Sequence, residues 1–434
     1  ANLVLTFSIS CFKSFPDKKL QFLGSKNGAS KNMFDGDSLF STTGQLHQPS
    51  KYISPLLDKM SAQAVTADES RSLSNELVSQ IKRNDIMQLS ASPELGGLNE
   101  TMLNIANELR DVASRCTSTA WCLWNHLCTF HHFAGLLGPQ NSDILKELVT
   151  NREWVCFPAG ATSDVTATRK GDQVVLNGVA AFGSGCRYAD WAGVIFDEKK
   201  NESAGPQFAL ADLHSSEVRI EQTWEAMSLR ASATDHIHYE GLAIDNARTV
   251  PWPLRVREEH RSAHTPMIHH RYREDWVAIS VMWLGAMATG VAEISLMETA
   301  KSIQERIAIF GTKMADKPTI HVNLGRAWAL INGATDTVYS ALSETDSRIS
   351  SEIMPCEGDY FRQTSAGMQA VIMCEEAMRL ILRILGGNGL REGTDFERRY
   401  RDFQAMPLHI NGHVDRITEQ LGRITLGLDS QNPF

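Results

Sequence analysis

The sequence predicts an α+β protein with an N-terminal helical domain, a central antiparallel β-domain and a C-terminal four-helix bundle. Three observations carry this. Apolar residues recur at helical spacing from about Ser50 to Asn151. Short β-branched and aromatic runs, punctuated by glycine and asparagine, fill the stretch from about Trp154 to Pro253. Helical periodicity returns after Pro266 and lasts almost to the end. Helices, strands and helices in separate blocks argue for segregated layers rather than a parallel βαβ sheet. The boundaries expected are a poorly defined tail over 1–45, then domains over 46–152, 153–262 and 263–434.

The tail opens with the short apolar run Val4 to Ser10, too short to cross a bilayer, and then carries Lys13, Lys18, Lys19, Lys26 and Lys31 before a Ser/Gly/Asn-rich stretch. It reads as a loosely ordered segment or a targeting presequence and is given no functional role. In the first helical block Ile53, Leu56, Leu57 and Met60 share a face, and Leu73, Leu77, Ile81 and Ile86 form a second stretch. Pro93-Glu-Leu-Gly-Gly97 breaks the chain, and Met102 to Leu137 reads as two long apolar helices. Strands are expected at Val165–Thr168, Val174–Leu176, Ala192–Phe196, Phe208–Leu210, Val218–Ile220 and Ile237–Tyr239, with turns at Gly171-Asp172 and Asn177-Gly178. Trp276 to Ile309, Ile320 to Ser350 and Tyr360 to Leu385 are each long enough for a bundle helix.

Composition narrows the function. The chain has 434 residues, enough for two or three domains, with 42% hydrophobic and 21% charged residues, as in globular proteins. A net charge of −9 argues against a general nucleic-acid binder. There is no uninterrupted apolar run of about 18 residues, so no membrane span is expected. The eight cysteines are scattered, and the six-residue recurrence of Cys116, Cys122 and Cys128 matches no zinc spacing. Buried thiols in a reducing cytoplasm and no metal are the expectation. No strand–GxGxxG–helix fingerprint is present, so the chain is not expected to bind NAD(P)H.

Several motifs fall in order between residues 50 and 425. They are Pro158-Ala-Gly-Ala-Thr-Ser-Asp164, Phe182-Gly-Ser-Gly-Cys186, Met227-Ser-Leu-Arg230-Ala-Ser232-Ala-Thr234, Gly386-Gly-Asn-Gly389 and Arg398-Arg-Tyr-Arg-Asp402. Together they resemble the acyl-CoA dehydrogenases. In that family a carboxylate base commonly follows the Arg-Asp pair inside a Tyr-Glu-Gly turn. Here the stretch reads Met406-Pro-Leu-His409-Ile-Asn-Gly412, with no carboxylate. Phe182-x-Ser-Gly-Cys186, Ser118-Thr-Ala-Trp121 and the spacing from Arg401 to His409 resemble a narrower branch, the oxygenase components of two-component flavin-dependent hydroxylases.

That resemblance implies a flavin-dependent monooxygenase. It would take reduced flavin, FMN or FAD, from a separate NAD(P)H:flavin reductase and react it with O2 to a C4a-hydroperoxide. The oxygen would pass to a small aromatic or heteroatom-containing molecule. His409 is the leading acid/base candidate, since a group titrating near neutral pH must move the proton. Ser184 would contact flavin N5, with Gly185 in the same turn. His132, by its match to the branch, is a second catalytic candidate. Trp121, His126 and His131 would line the substrate pocket, and Trp124 would stack on flavin or substrate. Arg230 would neutralise the flavin or brace the β-domain, Arg306 and Phe310 would approach the flavin diphosphate, and Gly387, Asn388 and Gly389 would hold the dinucleotide tail of FAD. The family's bundle implies a homodimer or homotetramer. Two other readings stand beside this one: an FAD-dependent acyl-CoA dehydrogenase-like oxidoreductase with a displaced base, and a non-catalytic flavin-fold binding protein. For a displaced base on the core helix, the aligned position is Ser280.

Overall fold

The computed structural model describes residues 48–158, 163–198, 205–252, 264–308 and 311–431. The tail, residues 159–162 of the Pro158–Asp164 motif, and Phe310 lie outside the described residues.

The first block contains α1 (Leu57–Ser70), α2 (Asn75–Arg83), α3 (Met102–Arg115), α4 (Thr117–Leu137) and α5 (Ser142–Asn151). Local sequence starts two of them. The Ser74 hydroxyl accepts the Leu77 N–H at the head of α2, and Thr101 accepts the Asn104 N–H at the head of α3. The expected break at Pro93 is a short 3-10 turn closed by Gly96 at φ 80°. Most of α4 is buried on every face, including His126, His131 and His132.

The middle block is one sheet, in the order β6 (Val218–Glu221), β7 (Asp235–Asp245), β3 (Gln173–Gly183), β2 (Asp164–Lys170), β4 (Trp191–Glu198), β5 (Gln207–Asp212), β8 (Val250–Pro251), with β1 (Val155–Cys156) on β4. Each strand expected from the sequence lies within one of these. The expected antiparallel pairing dominates, and β1 and β2 both pair β4 in parallel. The sheet is therefore mixed. Asn177-Gly178 departs from expectation. It is no turn but lies inside β3, where the register with β7 shifts between Leu176 and Asn177. Gly178 sits there at φ 132°, and a Cβ would come within 2.0 Å of Asp164 O, so glycine permits a bulge rather than a reversal. Gly171-Asp172 does join β2 to β3.

The last block contains α6 (Trp276–Ile303), α7 (Pro318–Ser350), α8 (Glu357–Leu385), α9 (Asp395–Phe403) and α10 (Val414–Thr425). Asp275 starts α6 by accepting the Val277 and Ala278 N–H groups. The helix ends at Ile303 rather than Ile309, where the chain turns into an isolated bridge between Ile307 and Lys313. By length and composition α6 could cross a membrane, which corrects the expectation drawn from uninterrupted runs. However, 89% of its apolar window is buried inside the protein, as for a helix enclosed on all faces by its own fold. Glycines let α6 and α8 cross closely: a Cβ on Gly367 would lie 2.3 Å from Val281 O. The buried Glu274 carboxylate, which takes two 2.7 Å hydrogen bonds from Arg348 and one of 2.9 Å from Gln363, ties the entry of α6 to α7 and α8. The Arg110–Glu293 pair ties α3 to α6.

Candidate active site

Three parts of the chain meet at the site: the middle of α4, the turn that ends β3, and the segment after α9. The turn leaves the strand with Phe182 at φ 61° and Gly185 at φ 80°. Gly185 N–H donates to Ser232 O at 2.8 Å, which pins the turn to the 227–234 loop. Ser184 is buried, and its hydroxyl receives the Trp121 indole N–H at 3.1 Å. The same oxygen lies 3.1 Å from the Thr234 hydroxyl, which lies 2.7 Å from that of Ser232. A serine has one hydrogen and two lone pairs, so Ser184 keeps capacity for a further partner. The loop carrying Ser232 and Thr234 is itself held from α9. Asp402 accepts the Leu229 N–H at 2.7 Å, and its carboxyl is pushed up to about 7, chiefly by burial, against the pull of that hydrogen bond.

On the neighbouring turn of α4, Trp124 donates its indole N–H to Ser280 O on α6 at 2.8 Å. The His409 ring packs edge-on against both indoles, with centroids 4.8 Å from Trp124 and 5.4 Å from Trp121. The His409 Nδ1 accepts the Asn411 N–H at 3.3 Å. Although the residue keeps partial exposure, the protein around its ring disfavours the charged form, and the Arg416 guanidinium adds to this, pushing its pKa down to about 4. Among the described residues, no carboxylate is one of the groups that act on His409. Asp402, the acid of the Arg-Asp pair, instead accepts the Leu229 N–H.

The structure therefore brings together Trp121, Trp124, Ser184, Gly185 and His409. The other candidates are placed elsewhere. His126 accepts the Val155 N–H at 3.1 Å on Nδ1 and lies 3.1 Å from Met87 O on Nε2, so it links α4 to β1. Burial keeps it neutral, with its pKa down at about 4. His131 reaches Glu274 O at 3.0 Å and packs on Tyr272. His132 sits among aromatic rings, stacked on Trp276 at 4.5 Å and edge-on to Trp252 at 5.3 Å. Arg230 pairs at 3.6 Å with Asp68, which also takes Arg401 at 2.7 Å. Arg306 donates to Leu385 O at 3.4 Å, beside the 3-10 turn that carries exposed Gly387 and Asn388 and buried Gly389. The Arg398–Arg401 cluster is an ion-pair set: Arg398 meets Asp395, Arg399 meets Glu298, and Arg401 meets Glu397 and Asp68.

Sequence reasoning did not select Ser232, Thr234, Asn411 or Arg416 as site residues, and named Ser280 only as the position of a displaced base. For the first two the signal was in hand, since Ser232-Ala-Thr234 belongs to the Met227–Thr234 motif just before β7. The bond between Asn411 and Ser280 spans 131 residues and could not be read locally. Two hollows, of about 630 and 270 Å³, lie away from the cluster. One is an open surface depression around Lys82 and Arg152, and the other lies between α5 and the sheet around Trp191 and Arg248.

Seen this way, the cluster suits the ring of a flavin. It offers hydroxyls at a strand end for a polar ring edge, indoles for a ring face and an imidazole at the border. Arg230 fits less directly as a flavin contact, because it is already paired with Asp68.

Comparison with known proteins agrees with the fold. Residues 282–413 match the model of the acyl-CoA dehydrogenase C-terminal domain, a range that ends just after His409 and Asn411. Among curated proteins, the chain is 23% identical to a pigment production hydroxylase of Rhodococcus sp., over 87% of this chain and 96% of that protein. It is 22% identical to the oxygenase component of p-hydroxyphenylacetate 3-hydroxylase of Acinetobacter baumannii, over 87% and 88%. It is also 23% identical to the cyclohexane-1-carbonyl-CoA dehydrogenase of Geobacter metallireducens, over 80% and 88%. Among solved structures, XiaF from Streptomyces sp. in complex with FADH2 aligns with a TM-score of 0.78 at 18% identity, covering 88% of this chain and 95% of that one. FMN-bound TdsC from Paenibacillus sp. aligns with a TM-score of 0.75 at 18% identity, over 86% and 96%. Residues 282–413 thus match the acyl-CoA dehydrogenase C-terminal domain, and the chain has an acyl-CoA dehydrogenase-like fold.

Proposed function

We propose that the chain is the oxygenase component of a two-component flavin-dependent monooxygenase, oxygenating a small aromatic or heteroatom-containing molecule. One observation carries the reading: a neutral imidazole, His409, borders the Ser184–Trp121–Trp124 cluster, and no carboxylate among the described residues acts on it. When bound, reduced FMN or FAD would supply the electrons that activate O2. The rest falls to the chain. Ser184 and Thr234 would offer hydrogen bonds to a polar ring edge, and Gly185 would leave the backbone room to approach. Trp121 and Trp124 would present apolar surface that keeps water from the reacting atoms. Because His409 Nδ1 is an acceptor for Asn411 N–H, its neutral ring carries the proton on Nε2. Nε2–H is then a hydrogen-bond donor that can stabilise the charge developing on the departing oxygen.

Relatives that carry FADH2 or FMN support either flavin equally. A separate reductase is part of the proposal, and oxygenase-component relatives support it. Self-association to a dimer or tetramer is supported by exposed apolar side chains such as Val322 and Leu390, and a cytoplasmic setting by the free thiols of the described cysteines, all but Cys356 buried.

The dehydrogenase relative keeps a second reading in view. Against it, Ser280 stands at the position of a displaced base, with its hydroxyl engaged by Asn411. Two measurements separate the readings: incorporation of 18O from 18O2 into an aromatic product with photoreduced FMN or FAD, and anaerobic bleaching of bound oxidised FAD by acyl-CoA thioesters. Labelled product supports the oxygenase. Bleaching without label would replace it with the dehydrogenase.

A further inference from the structure

The residues that organise His409 lie on two elements far apart in sequence. Asn411, 5% exposed, makes three directed bonds. Its main-chain N–H donates to His409 Nδ1 at 3.3 Å, its side-chain amide donates to Ser280 Oγ at 3.0 Å, and its carbonyl accepts from Arg416 at 2.6 Å. The Ser280 hydroxyl, fully buried in α6, donates its only hydrogen to Val277 O at 2.7 Å. Its oxygen can therefore only accept from Asn411. The same residue's carbonyl takes the Trp124 indole N–H at 2.8 Å. One residue of the core helix thus fixes both partners of the Trp124–His409 edge contact.

We propose that Ser280 and Asn411 are positioning residues for His409: the Ser280–Asn411 bond anchors the His409–Gly412 turn so that the Asn411 N–H holds Nδ1 as an acceptor, leaving the proton on Nε2. This rests on reading His409 as the donor to the departing oxygen, but the arrangement itself is a property of the protein without flavin. The turn needs an anchor because its flanks are open: Leu408 is 70% exposed and Ile410 57%. The amide–hydroxyl bond adds a directed polar tie to the close approach of Gly412 to Val281 and Leu284 of α6. A flipped ring would present Nδ1–H instead and place the donor hydrogen on the wrong edge.

The test uses the full chain labelled with 15N-histidine, with His409 signals assigned by difference from His409→Gln. The intact chain is expected to give His409 the Nε2–H pattern, with Nδ1 unprotonated at neutral pH. Ser280→Ala and Asn411→Asp should both move the two nitrogen shifts toward an average of tautomers; aspartate cannot donate to Ser280. Ser280→Thr, which keeps the hydroxyl, should restore the fixed pattern. In turnover with reduced flavin, product formed per O2 consumed should fall about ten-fold in the first two variants, less than the loss of such a donor itself would cost. A His409 already averaged or Nδ1-protonated in the intact chain overturns the proposal. So does a fixed Nε2–H pattern that survives in both Ser280→Ala and Asn411→Asp. Should either variant fail to fold, the intact-chain tautomer and the Ser280→Thr spectrum still decide. A fixed tautomer combined with no oxygen incorporation would sink the monooxygenase reading and leave the positioning intact.

Discussion

A histidine's chemistry is set by what its two nitrogens face, and this chain uses the residue in two ways. His126 and His409 are both pushed down to about 4, burial being the largest cause in each. His126 spends both nitrogens on main-chain groups of Val155 and Met87, whereas His409 spends one, on Asn411. The resemblance made both candidates; the partners of His126 lie 29 and 39 residues away and were not legible, whereas the Asn411 N–H that meets His409 is only two residues along. For His409 the neutral ring is the working form, and protonation destroys it. Turnover should hold as pH falls through 6.5 and decline only toward 4, in a kcat/KM profile measured with excess reduced flavin. Arg416→Gln should move that acidic limb upward, because it removes a positive charge. A limb at 6.5 that ignores Arg416 would exclude His409 as its source. For His126 the consequence is stability. The unfolded ring takes a proton near 6.5 and the folded ring only near 4, so the unfolded state binds more protons between these values. The contribution is complete above pH 6.5 and lost as pH falls toward 4, and amounts to roughly 3 kcal/mol for this fully buried ring. Asp402, raised to about 7, acts in the opposite sense over the same range. The diagnostic is therefore a difference: the acid-side fall in apparent Tm should be shallower in His126→Gln than in the parent, though Gln lowers the Tm at pH 7.5.

Elements were legible where periodicity is local and obscure where pairing is remote. Each expected strand run sits inside an observed strand, because alternation and β-branched content are properties of the run itself. The parallel β1–β4 and β2–β4 pairings could not be read, since nothing in a strand's own residues names its neighbour. Asn177-Gly178 misled for a related reason: the dipeptide that suits a tight turn also suits a bulge, and the long partner β7 decided between them. Helix crossings give a sharper test. Gly367 on α8 lies so close to α6 that a Cβ would meet Val281 O at 2.3 Å and Val281 C at 2.5 Å, both main-chain atoms that cannot swing aside. Gly367→Ala should cost roughly 1–3 kcal/mol or more by forcing the helices apart, despite alanine's better helix propensity. Gly325→Ala, on α7 with nothing within 4 Å of its Cβ, should be neutral or mildly stabilising. Equal melting temperatures for the two variants would contradict this account of the crossing.

For the molecule as a whole, the helix–strand–helix order was the most legible feature and the most informative about partners. Between Val155 and Pro251 the described residues contain strands and one short 3-10 turn, with no helix to make a βαβ crossover. A dinucleotide site of the strand–glycine loop–helix kind needs such a crossover, with phosphate at the helix start. Among the described residues this sheet offers no such crossover, which supports the proposal that the chain receives its electrons already loaded on flavin. The core helix α6 is long and apolar enough to cross a membrane, but α3, α7 and α8 pack around it and bury that apolar surface inside the protein. It follows that supplying NADH or NADPH with oxidised flavin and O2 to the purified chain should give no product, while photochemically reduced flavin should give product at a rate set by its supply. An unrelated flavin reductase should then substitute for the native one, because diffusion of reduced flavin, rather than a shared active site, carries the electrons. Product formation from NADH and oxidised flavin with this chain alone would mean that a nicotinamide site exists on an element that the sheet topology does not provide.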